Sequence, residues 1–257
     1  MHPILVKLGP LTVYTYGVFA ATGLLLGVSL ALRQGKQEGY DPQVLLDFFF
    51  YVILAGIAGS RVFYVLQHFS SYRSNPLNIF KLWEGGLVFY GGLLFAFPLA
   101  WFLLRRQHLP FWESFDLIAP SLAIGQAFGR IGCFFAGCCY GLPSQVPWAV
   151  TFTDPDSLAP RGIPLHPTQL YHALAGFVVF FALVLLRRHR RFTGQVACLY
   201  LILHSVLRFV VEDFRGDARA WIVDQALSLT QVISVVIFLL GIVLYFSFRN
   251  HREFDAT

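Results

Sequence analysis

Three arginines, Arg61, Arg130 and Arg208, sit inside long apolar runs of the chain. A charge in such a setting is costly and marks a site or a buried partner. Guanidinium keeps its charge in a low dielectric and presents a planar fork of donors that fits phosphate. Each arginine alone could pair locally or reach outward along its stem. Arg208 and Glu212 have the i, i+4 spacing of a helical ion pair. Taken together, the three point to an anion site, and a lipid phosphate is the anion that a membrane offers. Around Arg130 the chain reads Gly129-Arg130-Ile131-Gly132-Cys133, with further glycines at Gly125, Gly137 and Gly141. Gly125 and Gly129 have the spacing of a small-residue helix contact, and glycine also lets a bulky headgroup approach the backbone. A second cluster, Gly85, Gly86, Gly91 and Gly92, brackets Tyr90. It predicts an open, irregular start to a helix, tolerated at membrane depth only beside protein or water.

His166-Pro167-Thr168-Gln169-Leu170-Tyr171-His172 predicts a helix start at Pro167 and Thr168. His166 or His172 is then a base, or a capping or interfacial residue. Cys133, Cys138 and Cys139 lie close in sequence, with Cys198 apart. Their spacing matches no zinc finger, and no metal or soluble cofactor is called for. Packing as small apolar side chains comes first. A disulfide, strained between adjacent cysteines, comes second, and a reactive thiol third.

The elements that must position these residues follow from composition. Of 257 residues, 56% are hydrophobic, 17% aromatic and 13% charged, against roughly 25% charged in a soluble domain. Mean hydropathy is +0.62. These values exclude a soluble globule, a disordered chain and a collagen-like fibre. The net charge of +5 does not gather into a basic patch on a soluble fold, which argues against nucleic acid as a partner. A bilayer core of about 30 Å takes about 20 apolar residues as helix. About seven such runs occur, at 11–32, 44–66, 87–104, 115–135, 170–186, 196–211 and 226–248. They are continuous rather than alternating, which excludes a lipid-embedded barrel. The first reads as a retained helix, since no basic region precedes it and no small-residue cleavage pattern follows. The expected fold is an all-α polytopic membrane protein, with residues 1–257 as one integral membrane domain.

Orientation follows from the basic residues. Arg33, Lys36, Arg105, Arg106, Arg187, Arg188, Arg190, Arg191, Arg249 and Arg252 fall in one set of alternate loops, mostly short. Lys7, Arg73, Lys81, Arg161, Arg215 and Arg219 fall in the other, mostly in longer segments. The richer set is predicted cytoplasmic, with the N-terminus outside and the C-terminus inside. Segments 67–86, 136–169 and 212–225 then form a small extracytoplasmic head. Arg61, Arg130 and Arg208 fall in the outer parts of their spans, and Tyr16 and Tyr90 begin inward-running ones. His166, Glu212, Asp213 and Arg215 flank outer ends, so the polar groups converge on the outer leaflet and its interface. The inner halves are nearly uncharged. That counts against a lipid or anion transporter or scramblase, whose path needs polar residues through both leaflets. A membrane thiol oxidoreductase using Cys138 and Cys139 is the other alternative; it predicts loss of function when both become Ala.

In their order and spacing the motifs resemble the bacterial prolipoprotein diacylglyceryl transferases. The residues that carry the likeness begin with Tyr14-Thr15-Tyr16-Gly17 and Gly59-Ser60-Arg61 with Tyr64. Trp83-Glu84-Gly85-Gly86 follows, with Tyr90-Gly91-Gly92, then Asp116 with Pro120, and the signature Gly129-Arg130-Ile131-Gly132. The His166 to Tyr171 motif comes next, then Arg208 and Glu212 with Phe214-Arg215, and Leu227-Ser228 with Gln231. The resemblance implies a multi-pass enzyme of the bacterial cytoplasmic (inner) membrane, acting in lipoprotein biosynthesis. It would transfer the diacylglyceryl group of phosphatidylglycerol to the lipobox cysteine of a prolipoprotein. The products are a thioether and glycerol 1-phosphate, and no cofactor takes part. It also implies that Arg130 and Arg208 bind the phosphate and that Tyr16 lies in the catalytic centre. Arg61, Glu212, Arg215, Gly91, Gly92, His166 and Gln169 would form the headgroup region.

The chain departs from the family pattern in places. Tyr90 stands where the family often has a histidine proposed as the base. The signature continues Gly132-Cys133-Phe134 and Ala136-Gly137-Cys138 in place of Gly-Asn-Phe and Asn-Gly-Glu. His172 replaces a frequent Glu. The departures imply that arginine-assisted loss of the phosphate dominates, with the acceptor thiolate formed by Tyr90, His172 or water. A tyrosine of ordinary pKa near 10 is a poor base unless the arginines lower it.

Overall fold

The computed structural model describes all residues except 1, 10, 74, 82–84, 218–220, 224–226 and 256–257; side chains at 8, 11, 221, 223 and 251–255 are also outside it. Trp83, Glu84, Arg219 and Ala226 therefore lie outside the described residues. The chain opens with strands β1 (Ile4–Leu8) and β2 (Leu11–Tyr14), which pair. Helix α1 (Thr15–Gln37) follows, then α2 (Pro42–Gln67), the short α3 (Phe69–Arg73), a 3-10 turn at Pro76–Phe80 and α4 (Phe89–Arg106). Next come α5 (Phe111–Ala136), the strands β3 (Val150–Thr151) and β4 (Pro164–Leu165), α6 (Thr168–Arg187) and α7 (Gln195–Glu212). Strands β5 (Trp221–Val223) and β6 (Leu227–Ser228) lead into α8 (Leu229–Asp255).

Six of these helices, α1, α2, α5, α6, α7 and α8, are long and apolar enough to cross a bilayer. The seventh long helix, α4, has 18 residues and ends on Arg105 and Arg106. The protein is a multi-pass helical membrane protein whose short strand pairs close no sheet. Large apolar side chains stand exposed along the helices, among them Leu25, Phe50, Phe97, Leu174, Phe181 and Val243. That pattern suits lipid as the solvent, which carries no penalty for them.

One expected span begins late. Residues 11–14 of the run 11–32 are the strand β2, and helix starts at Thr15. The Thr15 backbone N–H donates to Pro3 O (2.9 Å) and its hydroxyl to His2 O (2.5 Å). The preceding segment therefore takes up the donors at the helix start, and Leu-Thr-Val-Tyr pairs with it as strand. α2 starts as its sequence demands: Asp41 accepts from Gln43 N (2.8 Å) and Pro42 occupies the first turn.

The chain forms two compact units. The first comprises Met1–Val6, Val13–Ser29 and Phe115–Thr257; the second comprises Lys7–Thr12 and Leu30–Ser114. In the first unit, Ala119 and Ala123 of α5, Val179 and Leu183 of α6, and Val196 and Tyr200 of α7 form the core. Asp116, fully buried, fixes the start of α7 by accepting from Gly194 N and Ala197 N, each at 2.8 Å. An anion at a helix N-terminus is favoured by the helix dipole, and Arg187 donates to the Asp116 carbonyl. Beyond the helix ends lies a small head. It is built on the antiparallel pairs Val150 with Leu165 and Thr151 with Pro164, and cored by Phe152, Ala159 and Leu165. In the second unit, α2 and α4 pack closely. A Cβ on Gly59 would stand 2.5 Å from Gly91 O, and one on Gly92 would stand 2.5 Å from Ser60 Oγ.

Candidate functional site

The first unit gathers Arg208 and Arg215 around one carboxylate, Glu212. Arg208 lies one turn before Glu212 on α7 and pairs with it; the two are 13% and 0% exposed. Glu212 also accepts from Ser228 Oγ (3.2 Å), and Arg215 Nη1 stands 3.7 Å away. Arg215 grips Asp217 with its Nε at 2.8 Å and with a second nitrogen. Burial opposes the Arg215 charge, and the bond to Asp217 together with the neighbouring Cys139, Asp217 and Glu212 more than offsets that, so its pKa lies above the ordinary value. Ser228 is held in turn by Gln231. Ser228 N donates to Gln231 Oε1 (3.0 Å) and Gln231 N to Ser228 Oγ (3.1 Å), a reciprocal cap at the start of α8. The Gln231 amide nitrogen donates to Asp213 (2.6 Å). The turn after α7 and the start of α8 are thus tied to each other through the groups that hold Glu212.

Arg130, half-buried on α5, makes no hydrogen bond or ion pair with any described residue. It lies within electrostatic reach of Arg208, of Arg215 (through Cys139 and His172) and of Tyr16. Three guanidiniums thus share a region where Glu212 and Asp217 answer two of them. The balance is positive, and a low dielectric magnifies it. Next to Arg130, a Cβ on Gly129 would meet nothing within 4 Å, so one side of the signature is open to a ligand. At Gly132 the opposite holds: a Cβ would stand 3.1 Å from Tyr16, and glycine lets α1 press Tyr16 against α5.

His172, buried on α6, has its Nε2 3.3 Å from Arg208 Nη1. Guanidinium only donates, so Nε2 accepts, the ring is neutral and Nδ1 carries the hydrogen. His166 Nδ1 lies 3.0 Å from the Tyr171 hydroxyl, which also accepts from Trp148 Nε1 (2.7 Å). The His166 ring packs against Phe214 at 5.3 Å. Gln169, fully buried, donates from Nε2 to Cys138 O (2.8 Å), and its Oε1 has no partner among the described residues. Thr168 Oγ1 donates to Cys139 O (2.7 Å).

A profile of the family described as prolipoprotein diacylglyceryl transferase matches residues 3–247. The chain belongs to that family. A phosphatidylglycerol–prolipoprotein diacylglyceryl transferase of Clostridium tetani is 35% identical over 245 residues, covering 95% of this chain and 97% of its own. The protein of that name from Nitratidesulfovibrio vulgaris is 36% identical over 248 residues, covering 94% and 92%. The one from Finegoldia magna is 32% identical over 236 residues, covering 91% of each. None of these names supports a transporter or a thiol oxidoreductase.

In this member of the diacylglyceryl transferase family, Arg61, Gly91 and Gly92 of the second unit contact that unit's own backbone and helices. Arg61 is 5% exposed and gives every donor to backbone carbonyls. Nε bonds Ile79 O (2.8 Å), Nη1 bonds Gly85 O (2.6 Å) and Gly86 O (3.1 Å), and Nη2 bonds Asn78 O (2.8 Å) and Lys81 O (3.2 Å). Tyr64 and Tyr72 flank its guanidinium at 5.7 and 5.6 Å. Gly91 and Gly92 turn toward α2, where a Cβ would collide with Phe63 and Ser60. Tyr90 is 66% exposed. The reading from types and spacing did not single out Asp217 or Trp148. The pattern Ser228-x-x-Gln231 is a capping signature that would have marked the support of Glu212.

Proposed function

We propose that this chain transfers the diacylglyceryl group of phosphatidylglycerol to the lipobox cysteine of a prolipoprotein, releasing glycerol 1-phosphate. The observation that carries the reading is the unanswered guanidinium of Arg130, beside the open face of Gly129 and near Arg208 and Arg215. In this reading Arg130 takes the lipid phosphate, and Arg208 and Arg215, anchored by Glu212 and Asp217, supply the field. The acceptor sulfur attacks the diacylglycerol C3 carbon and the C–O bond breaks toward the phosphate. The preplaced cations stabilise the charge that develops there without having to reorganise. The buried Gln169 Oε1 is a free acceptor for the glycerol hydroxyls of the headgroup. Arg61, whose donors all serve carbonyls, acts by holding Asn78, Ile79, Lys81, Gly85 and Gly86, and Gly91 and Gly92 act by packing.

The site faces the outer leaflet of the bacterial cytoplasmic membrane, with α4 as a seventh span and the N-terminus outside. The distribution of basic residues supports that orientation. The family match over 3–247 runs through both units and supports one transferase domain.

The test is reconstitution: protein in mild detergent, phosphatidylglycerol and a lipobox peptide, with the peptide cysteine followed by mass spectrometry. A diacylglyceryl adduct is expected, falling about 100-fold or more in Arg130→Ala, as when one preorganised donor is lost from a charge-stabilising site. Adduct formation undiminished in Arg130→Ala would refute the phosphate role.

A further inference from the structure

The thiol groups of Cys133, Cys138 and Cys139 converge, with their sulfurs all within 4.8 Å of one another. All three are half-buried and unlinked, whereas Cys198 is buried apart from them on α7. The convergence is built by the backbone. Gly137 has φ +75°, and a Cβ there would stand 2.1 Å from Ser157 Oγ, so only glycine makes this turn. Cys139 itself has φ +56°, a conformation that suits glycine or asparagine and is uncommon for other residues. Such an outlier is held only where the surroundings impose it. Here Thr168 and Gln169 fix the carbonyls of Cys139 and Cys138 at 2.7 and 2.8 Å. The result turns both thiols back toward Cys133, at the end of α5 and one turn beyond Arg130.

We propose that Cys133, Cys138 and Cys139 form a trithiolate zinc site whose fourth position receives the acceptor thiol of the substrate. Tetrahedral zinc with Zn–S of about 2.3 Å requires sulfurs about 3.8 Å apart, within reach of this cluster. Three protein ligands with an open position is the pattern of a reactive rather than a structural zinc site. Soft thiolates select zinc or Cu(I) over hard cations, and zinc adds no redox chemistry. No other His, Cys, Asp or Glu among the described residues completes the cluster. Zinc with three thiolates is a monoanion, and Arg130 and Arg215 lie within electrostatic reach of Cys139 to balance it.

The role rests on the transfer reading above. That reading leaves the base unassigned: the Nε2 lone pair of His172 is taken by Arg208. Coordination removes the need for one. The acceptor S–H binds zinc and its proton passes to water, because a coordinated thiol is deprotonated. The C–S bond then forms as the C–O bond breaks, and the electron pair leaves with glycerol 1-phosphate. The thioether, a weaker ligand than thiolate, departs from the metal.

The experiment uses the full chain in detergent with its thiols kept reduced. It is loaded with zinc, freed of excess and assayed for metal per chain. Cobalt replaces zinc in a parallel sample to report thiolate charge-transfer and tetrahedral ligand-field bands. One metal per chain is expected in the wild type, Arg130→Ala and Cys198→Ser, and none in Cys138→Ser or Cys139→Ser. No metal bound by the reduced wild type overturns the site. For the role, zinc is stripped and transfer is measured again. A free thiol of pKa about 8.5 is roughly 3% ionised at pH 7, so the stripped enzyme should lose about 30-fold. It should regain about tenfold per pH unit up to that pKa. Equal rates with and without zinc overturn the activating role. A metal-loaded wild type that makes no adduct refutes the transfer reading and leaves the metal site standing on its spectrum.

Discussion

Glu212 is the point at which charge balance and stability meet, and Glu212→Gln separates them. The carboxylate is fully buried and faces Arg208, which is 13% exposed, and Arg215, which is 12% exposed and stands 3.7 Å away. Glutamine keeps the volume and an acceptor for Ser228 Oγ but removes the negative charge. Removing one partner of a buried ion pair costs about 3–5 kcal/mol. The retained acceptor puts this change near the lower figure. For a chain of this length each kcal/mol moves the unfolding midpoint by about 2–4 °C, so a fall of about 6–12 °C is expected. An anion that binds between the arginines replaces the missing charge. Glycerol 1-phosphate at a fixed concentration should therefore raise the midpoint of Glu212→Gln more than that of the wild type. Thermal unfolding in detergent, with and without that ligand, reads both effects. A midpoint within about 2 °C of wild type would refute the balance assigned to Glu212. Equal ligand shifts in the two proteins would refute the placement of the phosphate beside these arginines.

Three further outcomes are expected. Gly59→Ala puts a methyl 2.5 Å from Gly91 O and 2.6 Å from Phe95 Cβ, and should cost about 1–3 kcal/mol in thermal unfolding. Asp116→Ala removes the acceptor of Gly194 N and Ala197 N. It should speed hydrogen exchange at those two amides and lower stability by about 1–2 kcal/mol, the value of a lost helix cap. Tyr90→Phe should keep turnover in the reconstituted assay, because zinc rather than a base supplies the thiolate; a collapse of turnover would return Tyr90 to the role of base.

The positions of the spans were legible because membrane helices are written in hydropathy along one dimension. Expected runs at 115–135, 170–186 and 196–211 correspond to Phe111–Ala136, Thr168–Arg187 and Gln195–Glu212. Hydropathy does not separate a strand from a helix at the edge of a run, and 11–14 was lost on that account. It also says nothing of rotation about a helix axis. Gly91 and Gly92 read equally well as room for a headgroup or as room for a neighbouring helix, and their Cβ directions meet α2. Arg61 and Arg130 are alike in sequence, each an arginine near a glycine in an apolar run. Arg61 is saturated by the carbonyls of Asn78, Ile79, Lys81, Gly85 and Gly86, whereas Arg130 faces no described partner. That difference is set by loops distant in the chain. The thiol cluster was hidden for a further reason: its spacing fits no regular motif, and its geometry depends on positive φ at Gly137 and Cys139.

The segment after α5 joins the two halves of the proposed chemistry. Thr168 and Gln169 open α6 and, through the carbonyls of Cys139 and Cys138, fix where two of the three sulfurs point. Three residues on, the same helix carries His172, which orients Arg208. Gly141, where a Cβ would stand 2.4 Å from His166 O, lets this segment lie against residues 164–166 and 214–216 and so sets Arg215. The metal that would hold the attacking sulfur and the guanidiniums that would receive the leaving phosphate are thus referenced to one helix start. A displacement is limited by how well attacking and leaving atoms are aligned, and small misplacements are costly. Thr168→Val is the change that isolates this coupling. It removes one hydrogen bond to Cys139 O and leaves every arginine and thiol in the chain. Transfer should fall while metal stoichiometry and the glycerol 1-phosphate shift persist. If transfer is unchanged, the sulfur and phosphate sites are positioned independently, and the shared helix start has no part in the reaction.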